Sequence, residues 1–140
     1  MASVSDVAAI VRERGIEFFL CSFVEMSGAP KAKVVPATHL DDMAEEGAGF
    51  AGFAAGEMGQ GPHSPDMMAI PDFNSLTILP WRKNIAWVAG NVHVEGREWE
   101  YCPRTILRRQ LDRARQLGFE YRTGVEPEFF LVKKLSLIHI

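Results

Sequence analysis

Apolar residues recur near the start of the chain at Val7, Ile10 and Val11, an i, i+3, i+4 stripe in an otherwise polar stretch. Ser5-Asp6 stands ahead of the stripe as a cap and Gly15 follows as a stop, which predicts a short amphipathic helix. The period then changes. Residues 16–26 (IEFFLCSFVEM) place apolar side chains on both alternating faces and predict a buried strand. SGAP makes a turn, and KAKVVP at 31–36 alternates polar and apolar like a hairpin partner. Pro36, with no N–H for a ladder, ends or edges that strand. Thr38 and Asp41 have the spacing of a capping box before a helix through HLDDMAEE, stopped by Gly47.

Residues 47–65 show little periodicity and read as a long flexible loop. Short strands are predicted over 66–70, 76–79 and 85–94, with Trp81 between the second and third. Glu95-Gly96 is a hairpin turn leading to a strand at 97–101. Pro103 suits the first turn of a helix running to about Leu117, with Gly118 at its end. Ile106, Leu107, Leu111, Ala114 and Leu117 form its apolar face; Arg104, Arg108, Arg109, Arg113 and Arg115 line much of the rest. That arginine set could bind an anion, and a solvated or interface-facing helix side is the plainer reading. Residues 119–134 predict strands flanking Gly124. The elements sum to an α+β fold whose one boundary lies at or within the Pro103 helix.

The loop contains a G-x-G-x-x-G at Gly47, Gly49 and Gly52, with Asp66 about the right distance on for a dinucleotide fingerprint. That motif needs a strand before it and a helix after it. Here an acidic helical stretch precedes the glycines, and glycines and prolines follow. No G-K-[ST] follows either, so a phosphate loop is excluded. Long loops in compact domains are usually functional, which keeps residues 47–65 of interest.

Across 140 residues, 47% are hydrophobic, 24% are charged and the net charge is −3, the profile of a soluble globular chain. Nothing in that charge calls for nucleic acid or an anionic membrane as partner. The longest apolar runs are far below the roughly 20 residues of a membrane span. The N-terminus lacks a secretory pattern, so a cytoplasmic protein with two buried thiols, Cys21 and Cys102, is expected. His39, His63, His93 and His139 show no metal-ligand spacing.

GVEPEFFLV at 124–132 carries more chemistry. On an extended strand Glu126 and Glu128 project from one face, where two hard carboxylates could each hold a Mg²⁺ or Mn²⁺ ion that neutralises nucleotide phosphates. On spacing alone, two solvated glutamates on an open sheet face are the plainer reading, and Pro127 weakens a central strand unless it marks a bulge or an edge.

Several ordered blocks, namely Ser64 to Met67, Pro71-Asp72, Leu79 to Trp81, Pro103-Arg104 and Glu126 to Phe129, resemble the N-terminal part of the glutamine synthetase superfamily from about Ile16 to Lys134. The resemblance implies a β-grasp domain over 1–102, then a linker helix and the start of a catalytic domain over 103–134. LSLIHI at 135–140 departs from the family and reads as a non-native tail. It further implies ATP-dependent joining of glutamate to ammonia or a small alkylamine through γ-glutamyl phosphate. Glu126 and Glu128 would be ligands of Mg²⁺ or Mn²⁺, and the 47–65 loop would close the active site of the next subunit in a homo-oligomeric ring.

The family usually has F-D-G-S-S at the start of that loop, where this chain has Phe53-Ala54-Ala55-Gly56. Losing the aspartate favours a neutral or alkylated amine, and the loop resembles the γ-glutamylmethylamide synthetase and type III-like branch. Glu57 and Asp66 could supply the lost charge, with Asp66 read first as a structural anchor and only second as a catalytic group. The leading expectation is a ligase fragment inactive alone. The alternative is a non-catalytic β-grasp module that binds full-length synthetase subunits.

Overall fold

The structure, a computed structural model, describes residues 2–56 and 60–131. Helix α1, Val4–Arg14, is capped by Ser3, not by Ser5-Asp6 as the stripe suggested. The Ser3 hydroxyl accepts the Asp6 N–H and the Asp6 carboxylate accepts the Ser3 N–H, a full capping box one half-turn earlier. Gly15 closes the helix in the left-handed region at φ 63°.

Strands β1 (Phe18–Val24) and β2 (Pro30–Pro36) form the antiparallel hairpin the alternation predicts. A 3₁₀ turn, Ala37–His39, then leads into α2, Leu40–Glu45. The expected Thr38–Asp41 capping box does not form; His39 Nδ1 instead meets Asp42 Oδ2 at 2.9 Å.

Residues 47–65 are not one long loop. Gly47 ends α2 at φ 84° and opens β3, Ala48–Phe50, which pairs with β4. A 3₁₀ turn, Gly52–Ala54, follows. The two short strands expected over 66–70 and 76–79 are one strand, β4, Met67–Leu79, running antiparallel to β5, Arg82–Val94. Between Asp72↔Ala89 and Thr77↔Trp87, β4 advances five residues while β5 advances two, so Pro71 to Ser75, which reads as a break, is a bulge. Its hydrogen bonds are local. Asn74 donates from N and Nδ2 to Asp72 Oδ1 (3.1 and 3.0 Å), and the Ala89 N–H donates to Ser75 Oγ at 2.8 Å. Glu95 (φ 49°) and Gly96 (φ 75°) supply the two positive φ angles of a type I′ turn into β6, Arg97–Glu98, shorter than the 97–101 expected.

The sheet order is β2-β1-β5-β4-β3, with β6 on β5; β1 and β5 are parallel and the other pairs antiparallel. Phe19, Cys21 and Phe23 of β1 join Ala86, Val88 and Val92 of β5 and Met67 and Ala69 of β4 on one sheet face. Val7 of α1 and Leu40 and Met43 of α2 pack against that face and complete the core. Gly90 lies where this packing is tightest: a Cβ there would stand 2.8 Å from the Ala69 Cβ.

Both cysteines are free and buried. The Cys21 thiol donates to the Ala69 carbonyl at 3.5 Å, and burial pushes it up to about 11. At pH 8 the native Cys21 should therefore react with a thiol reagent about a hundredfold more slowly than the unfolded chain, since each added pKa unit removes a factor of ten in thiolate. Labelling followed by peptide mass spectrometry, with and without denaturant, checks this; equal rates would contradict the burial.

Helix α3, Pro103–Gln116, begins with Pro at its first turn, and Cys102 and Thr105 are buried there. Beyond that turn the expected apolar face is largely uncovered, with Ile106, Leu107 and Leu117 exposed. Residues 119–131 carry no strand and are exposed throughout, which corrects the strands expected around Gly124. The 135–140 tail, His139 and Glu57 lie outside the described residues.

Candidate functional site

Two of the α3 arginines, Arg104 and Arg108, are committed to the sheet, and Arg115 pairs with Asp112 of its own helix at 2.7 Å. Arg104 pairs with Asp72 in the β4 bulge and donates from Nε to Asn91 Oδ1 at 3.0 Å. Arg108 pairs with Glu98 of β6 and reaches the same Asn91 oxygen at 3.4 Å. Partial burial works against the Asp72 charge, but Asn74 and Arg104 outweigh it and hold its carboxyl below the usual range. The bulge therefore presents the acceptor that fixes α3, and α3 delivers the chain to the segment bearing Glu126 and Glu128.

Those two glutamates are exposed and lie on an irregular segment, so strand geometry does not bring them to one face. Among the described residues no group of three or more His, Cys, Asp or Glu could hold a metal ion. The donor chemistry suits a hard divalent cation, yet two carboxylates are only a minority of the about six oxygens such an ion takes. Asp66 is exposed, and no hydrogen bond anchors its carboxylate among the described residues. Of the histidines, His39 meets Asp42 and His93 Nδ1 meets the Asn91 carbonyl at 3.0 Å, while His63 is exposed.

The loop segment is built around a residue that sequence reasoning missed. Glu25, only 3% exposed at the end of the first hairpin strand, turns its carboxylate into its own turn. Oε1 accepts from the Ser27 hydroxyl and from the Ala29 N–H at 2.9 Å, and Oε2 accepts the Ser27 N–H at 2.8 Å. Gly56 lies against the same carboxylate, since a Cβ there would stand 2.8 Å from Oε2. Glu25 thus joins the β1–β2 turn to the end of the Phe53-Ala54-Ala55-Gly56 stretch. The E-x-S-x-A spacing, an acid two and four residues before free backbone donors, is the signal that could have found it.

Beside this joint, β2 and the first part of the loop border an open groove of about 480 Å³. Lys31 and Lys33 stand on one wall and Phe50, Ala51, Ala54 and Ala55 on the other. Ala54, where the resemblance implies an aspartate, is exposed and lines this space; Ala55 is buried. Lys33 Nζ lies 5.4 Å from the centre of the Phe50 ring.

Hydrogen bonds from the Ser27 side chain and backbone hold the Glu25 carboxyl below its ordinary value, and the Ser3 hydroxyl and N–H do the same for Asp6. A depressed folded-state value means that the stabilisation is present above the unfolded value, about 4, and is lost as pH falls through the folded one. The urea midpoint should fall steadily from pH 5 to pH 2.5. Glu25→Gln should lower the midpoint at pH 7 and flatten part of that slope, because an amide N–H would face donors already in place. An unchanged pH profile in that variant would remove Glu25 from the account.

Comparison with known proteins adds to this geometry. Residues 100–137 match the family described as glutamine synthetase, catalytic domain. A glutamine synthetase of Rhizobium leguminosarum bv. phaseoli is 43% identical over 127 residues, 91% of this chain and 29% of the relative. A glutamate–methylamine ligase of Methyloversatilis universalis is 37% identical over 135 residues, 96% of this chain and 30% of the relative. Two solved structures align closely. Apo GmaS without ligand has a TM-score of 0.76 at 48% identity, covering 81% of this chain and 27% of that one. A GmaS/ADP complex gives 0.77 at 47%, covering 84% and 26%. The chain thus spans under a third of the length of the curated relatives it matches.

Proposed function

From a chain similar over more than nine-tenths of its length to glutamine synthetases and a glutamate–methylamine ligase, we propose that it is part of an ATP-dependent ligase joining glutamate to a small amine. The observation that carries this reading is the similarity to those relatives, together with a family match over residues 100–137 that spans Glu126 and Glu128. In the proposed reaction the glutamate γ-carboxylate takes the terminal phosphoryl of ATP, releasing ADP, and the amine then displaces phosphate from γ-glutamyl phosphate. The parallel β1–β5 pair at the centre of the sheet supports reading residues 1–102 as a β-grasp unit. The 47–65 segment would be offered to a neighbouring subunit of a ring.

Glu126 and Glu128 would hold Mg²⁺ or Mn²⁺ together with further oxygen ligands; a bound ion supplies neutralisation of the nucleotide phosphates. The exposed, irregular setting of both glutamates leaves them free to be positioned by whatever completes the site. The 140-residue chain alone should show no turnover. No observation favours a purely non-catalytic binding module over this reading.

Ala54 decides which amine is used. With a methyl group in place of a carboxylate, its wall neither attracts a cation nor accepts a proton. In a full ligase carrying this segment, phosphate release should favour methylamine over ammonium. Ala54→Asp should shift that preference towards ammonium by about tenfold or more, the scale set by one well-placed polar group. Equal amine preference in parent and variant would remove Ala54 from the selection. Failure to use glutamate with either amine would overturn the ligase reading.

A further inference from the structure

We propose that the groove between β2 and residues 50–55 is a binding site for a small oxyanion, a carboxylate or phosphate carried on an apolar body. Its volume, about 480 Å³, is within the range of small-molecule sites. Pro30, Ala32, Phe50, Ala51, Ala54 and Ala55 supply an apolar lining, and Lys31 and Lys33 are its charged members among the described residues. Two residues apart on β2, the lysines share a strand face. Lys33 is held by the Phe50 ring without using its N–H donors on an oxygen.

Among the described residues, the carboxylate that feels the Lys31 charge is engaged elsewhere. Glu25 feels the Lys31 charge, but its oxygens accept from Ser27 and Ala29 and it is covered by Gly56. Among the described residues, neither lysine takes part in an ion pair. The contrast with the cavity lined by Asp72, Arg104, Arg108 and Leu111 is direct, since there both arginines are already paired with carboxylates. Two ammonium groups with no ion-pair partner among the described residues, over an apolar floor, select an anion with a hydrocarbon part, and they disfavour a cation at the wall that carries Ala54.

The test uses the 140-residue chain, ¹⁵N-labelled, titrated at fixed ionic strength with inorganic phosphate, acetate or butyrate. Saturable shifts of the Ala32, Phe50 and Ala54 amides are expected with at least one oxyanion. Saturation by phosphate alone assigns a phosphate head group, and by the carboxylates alone a carboxylate. If carboxylates bind, butyrate should bind about tenfold tighter than acetate for its two extra methylenes. K31Q/K33Q should weaken binding at least about tenfold, and K31R/K33R should keep it. Shifts that stay linear with every probe overturn the site, as does unchanged saturation in K31Q/K33Q. Equal affinity for acetate and butyrate overturns the apolar part. No turnover enters the readout, so failure here leaves the ligase reading intact, and the site stands if that reading fails.

Discussion

Glu126→Ala, placed in a full ligase carrying this segment, is expected to lower kcat by at least about a hundredfold while leaving the thermal midpoint almost unchanged. The rate effect follows from the charge that Glu126 would manage as a metal ligand. A metal ion at a transferring phosphoryl group supplies several kcal/mol of transition-state stabilisation, and about 2.7 kcal/mol is a factor of one hundred. The stability effect follows from burial. Glu126 is exposed on an irregular segment, and surface substitutions away from packing or caps fall within about 0.5 kcal/mol. Glu128→Ala should behave alike. Glu120→Ala, which removes an exposed partner of Arg122, is the control expected to leave kcat near the parent value. Manganese affinity, followed by electron paramagnetic resonance, gives a second readout that should weaken with either variant. Retention of kcat within threefold and of manganese affinity would remove the pair from metal binding.

Gly47→Ala is expected to destabilise the chain by about 2–4 kcal/mol. The position sits at φ 84°, where an L-residue costs about 1–2 kcal/mol. A Cβ there would also stand 2.8 Å from the Ala69 carbonyl oxygen, which is backbone of the paired strand and cannot swing aside. Overpacking of this kind adds about 1–3 kcal/mol. The neighbouring Gly49→Ala is the discriminating control, because its Cβ would meet only the Met68 side chain, at 3.5 Å. Urea unfolding of both variants reads the difference. A midpoint for Gly47→Ala equal to that of Gly49→Ala would show that β3 moves away at no cost.

The glycines of this stretch show how much the sequence could tell. Their pattern argues against a dinucleotide loop, because what flanks them lacks the strand before and the helix after that the motif needs. It does not reveal that Gly47 is a helix stop and strand entry at once, since that role is set by Ala69, 22 residues later. The hairpin of β1 and β2, the Glu95-Gly96 turn and the Pro103 helix were legible because each rests on local chemistry: alternation, positive φ, a first-turn proline. The β4 bulge was not. Pro71, Asp72 and Asn74 look like strand breakers, and only the Ala89 N–H donated to Ser75 and the Arg104–Asp72 pair show why the strand continues past them.

At the site, Ala54 is singled out by the family resemblance, and the structure adds the space it lines. Glu25 was not singled out, because a glutamate at the end of an apolar run looks like a strand's polar terminus. The groove with Lys31 and Lys33 required β2 and residues 50–55 to be placed side by side. The strand expected at Glu126 and Glu128 failed for a related reason. An extended sequence needs a partner strand to supply ladder hydrogen bonds, and among the described residues none lies beside 119–131.

The parallel pairing of β1 with β5 also sets a schedule. Phe18 waits for Ile85, and Cys21 for Val88, across more than sixty residues of intervening chain. At about 5–20 residues per second, a ribosome takes several seconds to supply that partner. During this interval the hairpin exists with Phe19, Cys21 and Phe23 uncovered, and α1 and α2 have only half a sheet to pack on. The central strand therefore arrives late, ahead only of buried Cys102 and Thr105 at the start of α3, and the sheet can close only after Val92 has left the exit tunnel.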